Sequence, residues 1–154
     1  MKTIYVDTSV FGGKFDSEFK LWSELFFEKV FLSNIKLIYS EVAEEELINA
    51  PQKIKNFVES IPEKNILRTK LTKEAILLAE CYLDEKVVGK SSRADCYHIA
   101  IATTLKADLL VSWNFKHIVN IQRINGYNSV NLKNGYKTIE IRTPREVFEY
   151  ENND

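Results

Sequence analysis

The sequence is poor in the residues that define several classes of protein. Its 154 residues include 5 glycines, 3 prolines and 2 cysteines, and the formal net charge is −1. Because Cys81 and Cys96 lack metal-ligand spacing, we expect buried free thiols in a reducing compartment rather than a zinc site or a disulfide framework. A net charge so close to zero excludes a strong overall attraction to polyanions, so a nucleic-acid partner would have to meet a local basic patch.

Long apolar runs are also missing. No run of 18 apolar residues is present to span a bilayer, and no signal-peptide pattern precedes the first predicted strand. We therefore expect a cytoplasmic protein that does not associate with membranes. The composition, 45% hydrophobic and 28% charged, is typical of a globular protein. The length predicts one domain, placed at residues 1–148, followed by a frayed polar tail at residues 149–154.

Short apolar segments alternate with helical patterns along the chain. The predicted strands are Thr3–Val6, Ile35–Tyr39, Ile66–Leu71, Asp108–Ser112 and Thr138–Arg142. Helices are predicted to begin near Ser17, Ser40, Pro51, Thr72, Ser92 and His117. Strands that alternate with helices predict an α/β fold in which helices cover both faces of a parallel sheet.

Acidic side chains follow the ends of these strands. Asp7 comes directly after the first strand, and Asp95 lies in the first turn of a largely apolar helix. The helix after the second strand offers further candidates in Glu41, Glu44, Glu45 and Glu46. Ligands bind outside the carboxyl ends of parallel strands, so these carboxylates are placed for chemistry. The simpler interpretation is that Asp7 caps the next turn and that Asp95 interacts with its helix dipole.

The fourth predicted strand is followed by further polar side chains, Ser112 and Asn114. They would add oxygen atoms to the same edge of the sheet, although both residue types also form turns readily. Mg²⁺ and Mn²⁺ prefer oxygen ligands and usually keep waters and substrate phosphates as the others. The pattern therefore predicts a Mg²⁺ or Mn²⁺ site that can activate water and neutralise a phosphodiester oxygen.

Taken in order, these motifs resemble those of the PIN-domain nucleases, and most of all the VapC-type toxins of bacterial and archaeal toxin–antitoxin pairs. The matching segments are Asp7-Thr8-Ser9, Ser40 with Glu46-Leu47, Ala94-Asp95 and Leu110-Val111-Ser112-x-Asn114. The resemblance extends from Lys2 to about Asn120. It implies a three-layer α/β/α sandwich with a central parallel sheet, metal-dependent cleavage of RNA, an antitoxin partner and a homodimer.

The resemblance also implies roles for individual residues. Asp7 and Asp95 would be the principal metal ligands and Glu46 the second acidic residue, with Glu45 as an alternative. Asn114 stands where many family members carry an aspartate, so this chain keeps an oxygen there but loses a charge. Supporting hydroxyls would come from Ser9 and Ser112.

Basic and aromatic side chains near the predicted site are candidates for RNA binding. Phosphates could be held by Lys14, Arg93 and Lys116, and Trp113 could stack on a base; the alternatives are solvated loop charges and core packing. His98 follows Asp95 by three residues on roughly the same helix face. We interpret it as a satisfied core histidine in preference to a general acid.

Two other functions remain open. Because Asn114 lacks a charge, the chain could be a catalytically weak PIN-like module that binds RNA or a protein. A phosphotransferase of a different α/β fold would usually carry a second carboxylate two residues after Asp7, where this chain has Ser9. Cleavage of RNA with Mn²⁺, and its loss in EDTA, would separate a nuclease from a binding module.

Overall fold

A computed structural model describes the backbone of residues 2–151 and the side chains of residues 2–148. Its strands are β1 (Lys2–Val6), β2 (Ile35–Ser40), β3 (Ile66–Thr69), β4 (Leu109–Val111) and β5 (Ile141–Arg142). They form one sheet in the order β3-β2-β1-β4-β5, and every neighbouring pair is parallel. The predicted parallel sheet is therefore confirmed, with β1 at its centre.

Helices follow each strand of this sheet. They are α1 (Thr8–Gly13), α2 (Lys20–Leu32), α3 (Glu41–Glu46), α4 (Gln52–Ser60), α5 (Lys73–Asp84), α6 (Arg93–Thr104), α7 (Ile121–Lys133) and α8 (Pro144–Glu151). The side chains of α1, α2, α4 and α8 pack into one core, and those of α5, α6 and α7 pack into another. Among the helices of the described residues, none has both the length and the apolar character needed to cross a bilayer.

The two cores lie on opposite faces of the sheet because successive strand residues point in opposite directions. In β1, Ile4 and Val6 belong to the first core, whereas Tyr5 belongs to the second. In β4, Leu109 belongs to the first core and Leu110 to the second. The fold is thus a three-layer α/β/α sandwich, as expected.

The first helices differ from the prediction. Residues 8–13 form α1 although Gly12 and Gly13 had indicated a break, and α2 begins at Lys20 rather than at Ser17. The segment between them turns instead, because the Asp16 carboxylate accepts a 2.8 Å hydrogen bond from the Glu18 N–H. Tertiary packing of α1 against α2 and α4 outweighs the weak helix propensity of its glycines.

The predicted starts of the other helices are confirmed in part. Ser40 and Thr72 cap α3 and α5 through their side-chain oxygens, as predicted. Ser92 precedes α6 without a capping side-chain bond, and α7 begins at Ile121 rather than near His117. Asn120 sets that later start, since its side chain accepts hydrogen bonds from two backbone N–H groups of the first turn.

The last helix and the two cysteines can also be compared with their predictions. Helix α8 was not predicted; it extends to Glu151 and so covers the first part of the tail expected at 149–154, while residues 152–154 lie outside the described residues. Both cysteines are free: Cys96 is buried, and Cys81 is half-buried with its Sγ 3.8 Å from Asn134 Oδ1.

Candidate active site

Asp7 lies directly after β1 and is 4% exposed. It precedes α1, but its side chain makes no capping hydrogen bond; instead its Oδ1 accepts a 2.5 Å bond from the Ser9 hydroxyl. Burial raises the pKa of Asp7, and the charge of Glu46 adds to the rise, although His98 and the hydroxyls of Ser9 and Ser112 oppose it. Asp7 is therefore a buried carboxylate at the sheet edge, and the interpretation of its side chain as a helix cap is wrong.

Two serine hydroxyls connect Asp7 to the loop after β4. Ser9 Oγ accepts a 2.9 Å hydrogen bond from the Trp113 N–H and lies 3.5 Å from Ser112 Oγ. Ser112 Oγ in turn accepts the Asn114 N–H at 2.9 Å. Both hydroxyls singled out by the sequence thus lie beside Asp7, where they join the carboxyl ends of the adjacent strands β1 and β4.

Asp95 lies in the first turn of α6, next to Asn114. Asn114 Nδ2 lies 3.3 Å from Asp95 Oδ1, while Asn114 Oδ1 accepts the His117 N–H at 3.0 Å. Burial raises the pKa of Asp95 and Glu46 adds to the rise, against the effects of His98, His117 and Asn114. In this arrangement Asn114 supports Asp95 with its nitrogen, and its role as an oxygen ligand of a metal stays a prediction.

Glu46 ends α3 and pairs with His98 of α6. Its Oε1 is hydrogen-bonded to His98 Nε2, and its Oε2 accepts a 3.2 Å bond from the Thr8 hydroxyl. Burial raises the pKa of Glu46, but the bond and charge of His98 and the bond from Thr8 outweigh it, so the net pKa is lowered. These contacts distinguish Glu46 from its neighbour Glu45, although both residues are exposed.

His98 is the residue whose importance the sequence did not reveal. It is 1% exposed, and its second ring nitrogen, Nδ1, lies 2.5 Å from Tyr5 Oη. Burial lowers the pKa of His98, but the bond to Glu46 and the charges of Asp7, Glu46 and Asp95 outweigh burial and raise it. The core-histidine interpretation is right about burial. The spacing from Asp95 was the signal that this imidazole also faces the acidic residues.

The chemistry of these side chains fits a divalent cation at Asp7 and Asp95. Burial is the largest cause of the raised pKa of both carboxyls, and the charge of His98 offsets the rise only in part. Mg²⁺ is commonly bound by one or two carboxylates together with waters and substrate phosphates. Within the described residues, no three Asp, Glu, His or Cys side chains are grouped closely enough to enclose a metal ion, and Glu46 faces His98 instead.

The basic residues predicted to contact RNA have different surroundings. Lys14 Nζ lies 4.0 Å from the ring centroid of Phe57, so its stem is directed towards α4. Arg93, at the start of α6, forms an ion pair with Glu80 of α5. Lys116 is exposed in the loop that follows β4. Of the three, Lys116 is nearest in sequence to the Asn114 end of the site.

Trp113 does not have the surroundings of a base-stacking residue. Its ring is 8% exposed and stacks on Phe19 at a centroid distance of 4.4 Å. The indole Nε1 also donates a 2.9 Å hydrogen bond to the Ser23 hydroxyl. Stacking on a base would require the ring to leave this packing, so we assign Trp113 to the core. Phe115 follows in the same loop, with its ring centroid 6.1 Å from that of Trp113. It is 51% exposed and is therefore the more accessible of the two rings.

Comparison with solved structures identifies the fold. One match is the solved structure of VapBC2 from Rickettsia felis bound to a DNA fragment from the VapBC2 promoter. The TM-score is 0.60 and the identity 12%, over 92% of this chain and 98% of that one. FitAcB from Neisseria gonorrhoeae matches with a TM-score of 0.53 and 16% identity, over 92% of this chain and 97% of that one. Both matches extend over nearly the whole length of each chain.

This chain has the PIN-like fold. No family profile matches its sequence, and no curated protein matches it either. At these identities the likeness to solved structures shows the fold, and a fold by itself does not assign an activity.

The topology of the PIN-like fold explains why residues distant in sequence meet here. Strands β2, β1 and β4 are neighbours in the sheet, and their carboxyl ends lie at one edge. Asp7 follows β1, Ser112 follows β4, and Glu46 lies at the end of α3, the helix that follows β2. Helix α6 packs against α3 and contributes Asp95 and His98 from its first turns.

Proposed function

We propose that this PIN-like chain is a Mg²⁺- or Mn²⁺-dependent endoribonuclease and the toxin of a toxin–antitoxin pair. The supporting observation is that His98 bonds Glu46 and interacts electrostatically with Asp7 and Asp95 at the carboxyl edge of the sheet. Asp7 and Asp95 would bind the ion, and Glu46 would complete the acidic set. When bound, such an ion activates water and neutralises a phosphodiester oxygen.

The chain's own residues would hold these groups in position. The hydroxyls of Ser9 and Ser112 orient the Asp7 carboxylate, and the amide of Asn114 orients that of Asp95. An ionised carboxylate has about four lone-pair sites. Glu46 can therefore accept from His98 and Thr8 and still accept a hydrogen bond from the attacking water.

RNA would approach this edge across the basic residues at its rim. Contacts to phosphates position a nucleic acid without reading its sequence. Lys14, Arg93 and Lys116 are the candidates, and the exposed ring of Phe115 replaces Trp113 as the candidate for stacking on a base. The choice of RNA as substrate comes from the motifs that the chain has in common with the VapC-type toxins.

The partners are proposed from the similar structures. Because the chain has the fold of the solved VapBC2 and FitAcB structures and motifs that resemble VapC-type toxins, we propose that it binds an antitoxin protein in the cytoplasm. A homodimer is proposed from the family resemblance. Co-expression with the product of the adjacent reading frame, followed by co-purification, tests the antitoxin directly.

The nuclease is tested with the purified chain, single-stranded RNA and Mn²⁺. We expect cleavage that stops in EDTA and in Asp7→Asn. Asp108→Asn is a matched control, because Asp108 lies at the opposite end of β4, where it accepts a 2.8 Å hydrogen bond from the Thr3 N–H. Equal activity of wild type and Asp7→Asn, or cleavage that persists in EDTA, would refute the proposal.

A second candidate function is a catalytically weak module that binds RNA or a protein. It is favoured by the absence, among the described residues, of three side chains grouped to enclose a metal, and by the neutral amide of Asn114 beside Asp95. Wild-type protein that shifts RNA in a gel but leaves it uncut in Mn²⁺ would favour this function over the nuclease.

A further inference from the structure

The hydroxyl of Tyr5 is connected to both ends of helix α3. Tyr5 Oη lies 2.7 Å from Ser40 Oγ, and Ser40 caps the start of α3 by accepting the Ala43 N–H at 3.2 Å. The same hydroxyl lies 2.5 Å from His98 Nδ1, and His98 Nε2 bonds Glu46, the last residue of α3. A single buried side chain of β1 thus contacts the cap of the helix directly and its acidic end through one imidazole.

Helix α3 needs such contacts to hold Glu46 in place. It has 6 residues, whereas isolated helices shorter than about 12–15 residues are marginal in water. Val42 and Ala43 are its buried residues, and Glu46 itself is more than a third exposed. The position of the Glu46 carboxylate therefore depends on tertiary contacts at the end of the helix.

The donors and acceptors in this chain of contacts follow from its chemistry. Glu46 Oε1 is hydrogen-bonded to His98 Nε2, and a carboxylate can only accept, so His98 Nε2–H is the donor. At Nδ1 the Tyr5 hydroxyl can donate or accept, and Ser40 on its far side can do either as well. The imidazole is buried, so water cannot easily take the place of Tyr5.

We infer that Tyr5 and His98 are positioning residues for Glu46. His98 holds the carboxylate through Nε2, and Tyr5 fixes the orientation of the imidazole through Nδ1 while it anchors the cap of α3. This inference rests on the proposed function in one respect: Glu46 is taken to serve the metal site with Asp7 and Asp95. Neither positioning residue is required to touch the ion or RNA.

The test compares Tyr5→Phe with Tyr82→Phe. Both tyrosines are 0% exposed, and each loses one buried hydroxyl, which in Tyr82 donates to Asn131 between α5 and α7. Mutation of a residue that hydrogen-bonds a metal ligand typically lowers metal affinity by about 10–100-fold. Tyr5 reaches Glu46 only through His98, so we expect Tyr5→Phe to weaken Mn²⁺ binding, measured by titration calorimetry without RNA, by up to about tenfold. Tyr82→Phe should bind like wild type, although both variants should melt lower.

A second pair of variants tests the imidazole. His98→Ala should lose Mn²⁺ affinity, and His98→Gln should recover part of it, because the glutamine amide can donate to Glu46. In NMR spectra we expect a downfield His98 Nε2–H proton in wild type, which should shift in Tyr5→Phe and stay in Tyr82→Phe. If Tyr5→Phe fails to fold, the Mn²⁺ affinities of His98→Ala and His98→Gln decide whether the imidazole positions Glu46.

The outcomes separate this inference from the nuclease proposal. Equal Mn²⁺ affinities for Tyr5→Phe and Tyr82→Phe, no recovery in His98→Gln, or a wild type that does not bind Mn²⁺ would overturn the positioning role. A wild type that binds Mn²⁺ but leaves RNA intact would refute the nuclease, while the affinities would still decide the role of Tyr5 and His98. Where cleavage occurs, Tyr5→Phe should lower kcat with little change in KM for RNA.

Discussion

Asn114 presents its side-chain nitrogen to Asp95: Nδ2 lies 3.3 Å from Asp95 Oδ1, while its own oxygen accepts the His117 N–H at 3.0 Å. The backbone bond fixes which end of the amide faces the carboxylate. The family resemblance places this neutral donor at a position where many PIN-domain nucleases carry an aspartate. It stabilises Asp95 without a metal but adds no charge to attract one.

Replacing Asn114 by aspartate should therefore change metal binding and stability in opposite directions. We expect Asn114→Asp to bind Mn²⁺ more tightly and to retain cleavage. It should also melt lower in EDTA, because a like-charge pair at ~4 Å costs up to ~4 kcal/mol at an effective dielectric of about 20, before relaxation and screening. Calorimetric titration and thermal melts measure the two effects.

Asn56→Asp is the control for Asn114→Asp, since it adds the same charge to the exposed surface of α4. It should leave Mn²⁺ affinity unchanged. An Asn114→Asp protein that folds but binds Mn²⁺ more weakly than wild type would mean that this side chain does not face the metal.

Asp95 should be needed for metal binding itself. Asp95→Asn keeps the size of the side chain but removes a carboxylate whose pKa is raised by burial, with a contribution from Glu46. We expect Mn²⁺ affinity to fall by about tenfold or more in calorimetric titration. Asp108→Asn should bind like wild type, and an unchanged affinity in Asp95→Asn would remove this residue from the site.

The close packing of α1 beside the site gives a prediction about stability. A Cβ on Gly13 would lie 2.7 Å from Ser23 Oγ and 2.8 Å from the Trp113 ring, whereas one on Gly12 would lie 3.9 Å from Ile54. We expect Gly13→Ala to lower the free energy of unfolding by about 1–3 kcal/mol. The matched change Gly12→Ala should be neutral or stabilising, because alanine favours a helix. Urea unfolding distinguishes them, and equal stabilities would contradict the packing at Gly13.

The fold could be predicted largely because its strands are short, apolar and separated by helical patterns. Ser40 and Thr72 were predicted as caps because a hydroxyl before a helical pattern acts through local backbone bonds. Helix α1 was missed, because its glycines disfavour a helix in isolation and only its packing on α2 and α4 stabilises it. For Trp113, base stacking and core packing both stayed open, since the ring that covers it, Phe19, belongs to a distant segment.

The acidic residues were predicted from topology, but their partners could not be. Parallel strands bring their carboxyl ends to one edge, which places Asp7 and the loop of Ser112 together. The pairing of Glu46 with His98 joins residues 52 positions apart and depends on how α3 packs on α6. The orientation of Asn114 depends on a backbone hydrogen bond that only the folded loop forms.

The buried carboxylate of Asp7 predicts how stability changes with pH. Burial raises its pKa, and the attraction of His98 is already included in that net rise. When the folded-state pKa lies above the unfolded one, the contribution to stability is full below the unfolded pKa and is lost as pH rises through the folded pKa. In EDTA, Asp7→Asn should therefore melt higher than wild type near neutral pH. The difference should shrink as the pH falls through the range in which the wild-type carboxyl becomes protonated.

Adding Mg²⁺ should reverse this order, because a ligand that binds the folded state stabilises it by mass action, by about 2.7 kcal/mol at a concentration 100 times Kd. Wild type would then gain stability that Asp7→Asn, which lacks one of the two principal ligands, would largely fail to gain. The variant would also be inactive, the usual exchange of stability for function at a charged site. Thermal melts of both proteins in EDTA and in Mg²⁺ measure the effect. A variant that melts lower in EDTA and still gains fully from Mg²⁺ would show that Asp7 serves the structure of the sheet edge and does not bind the metal.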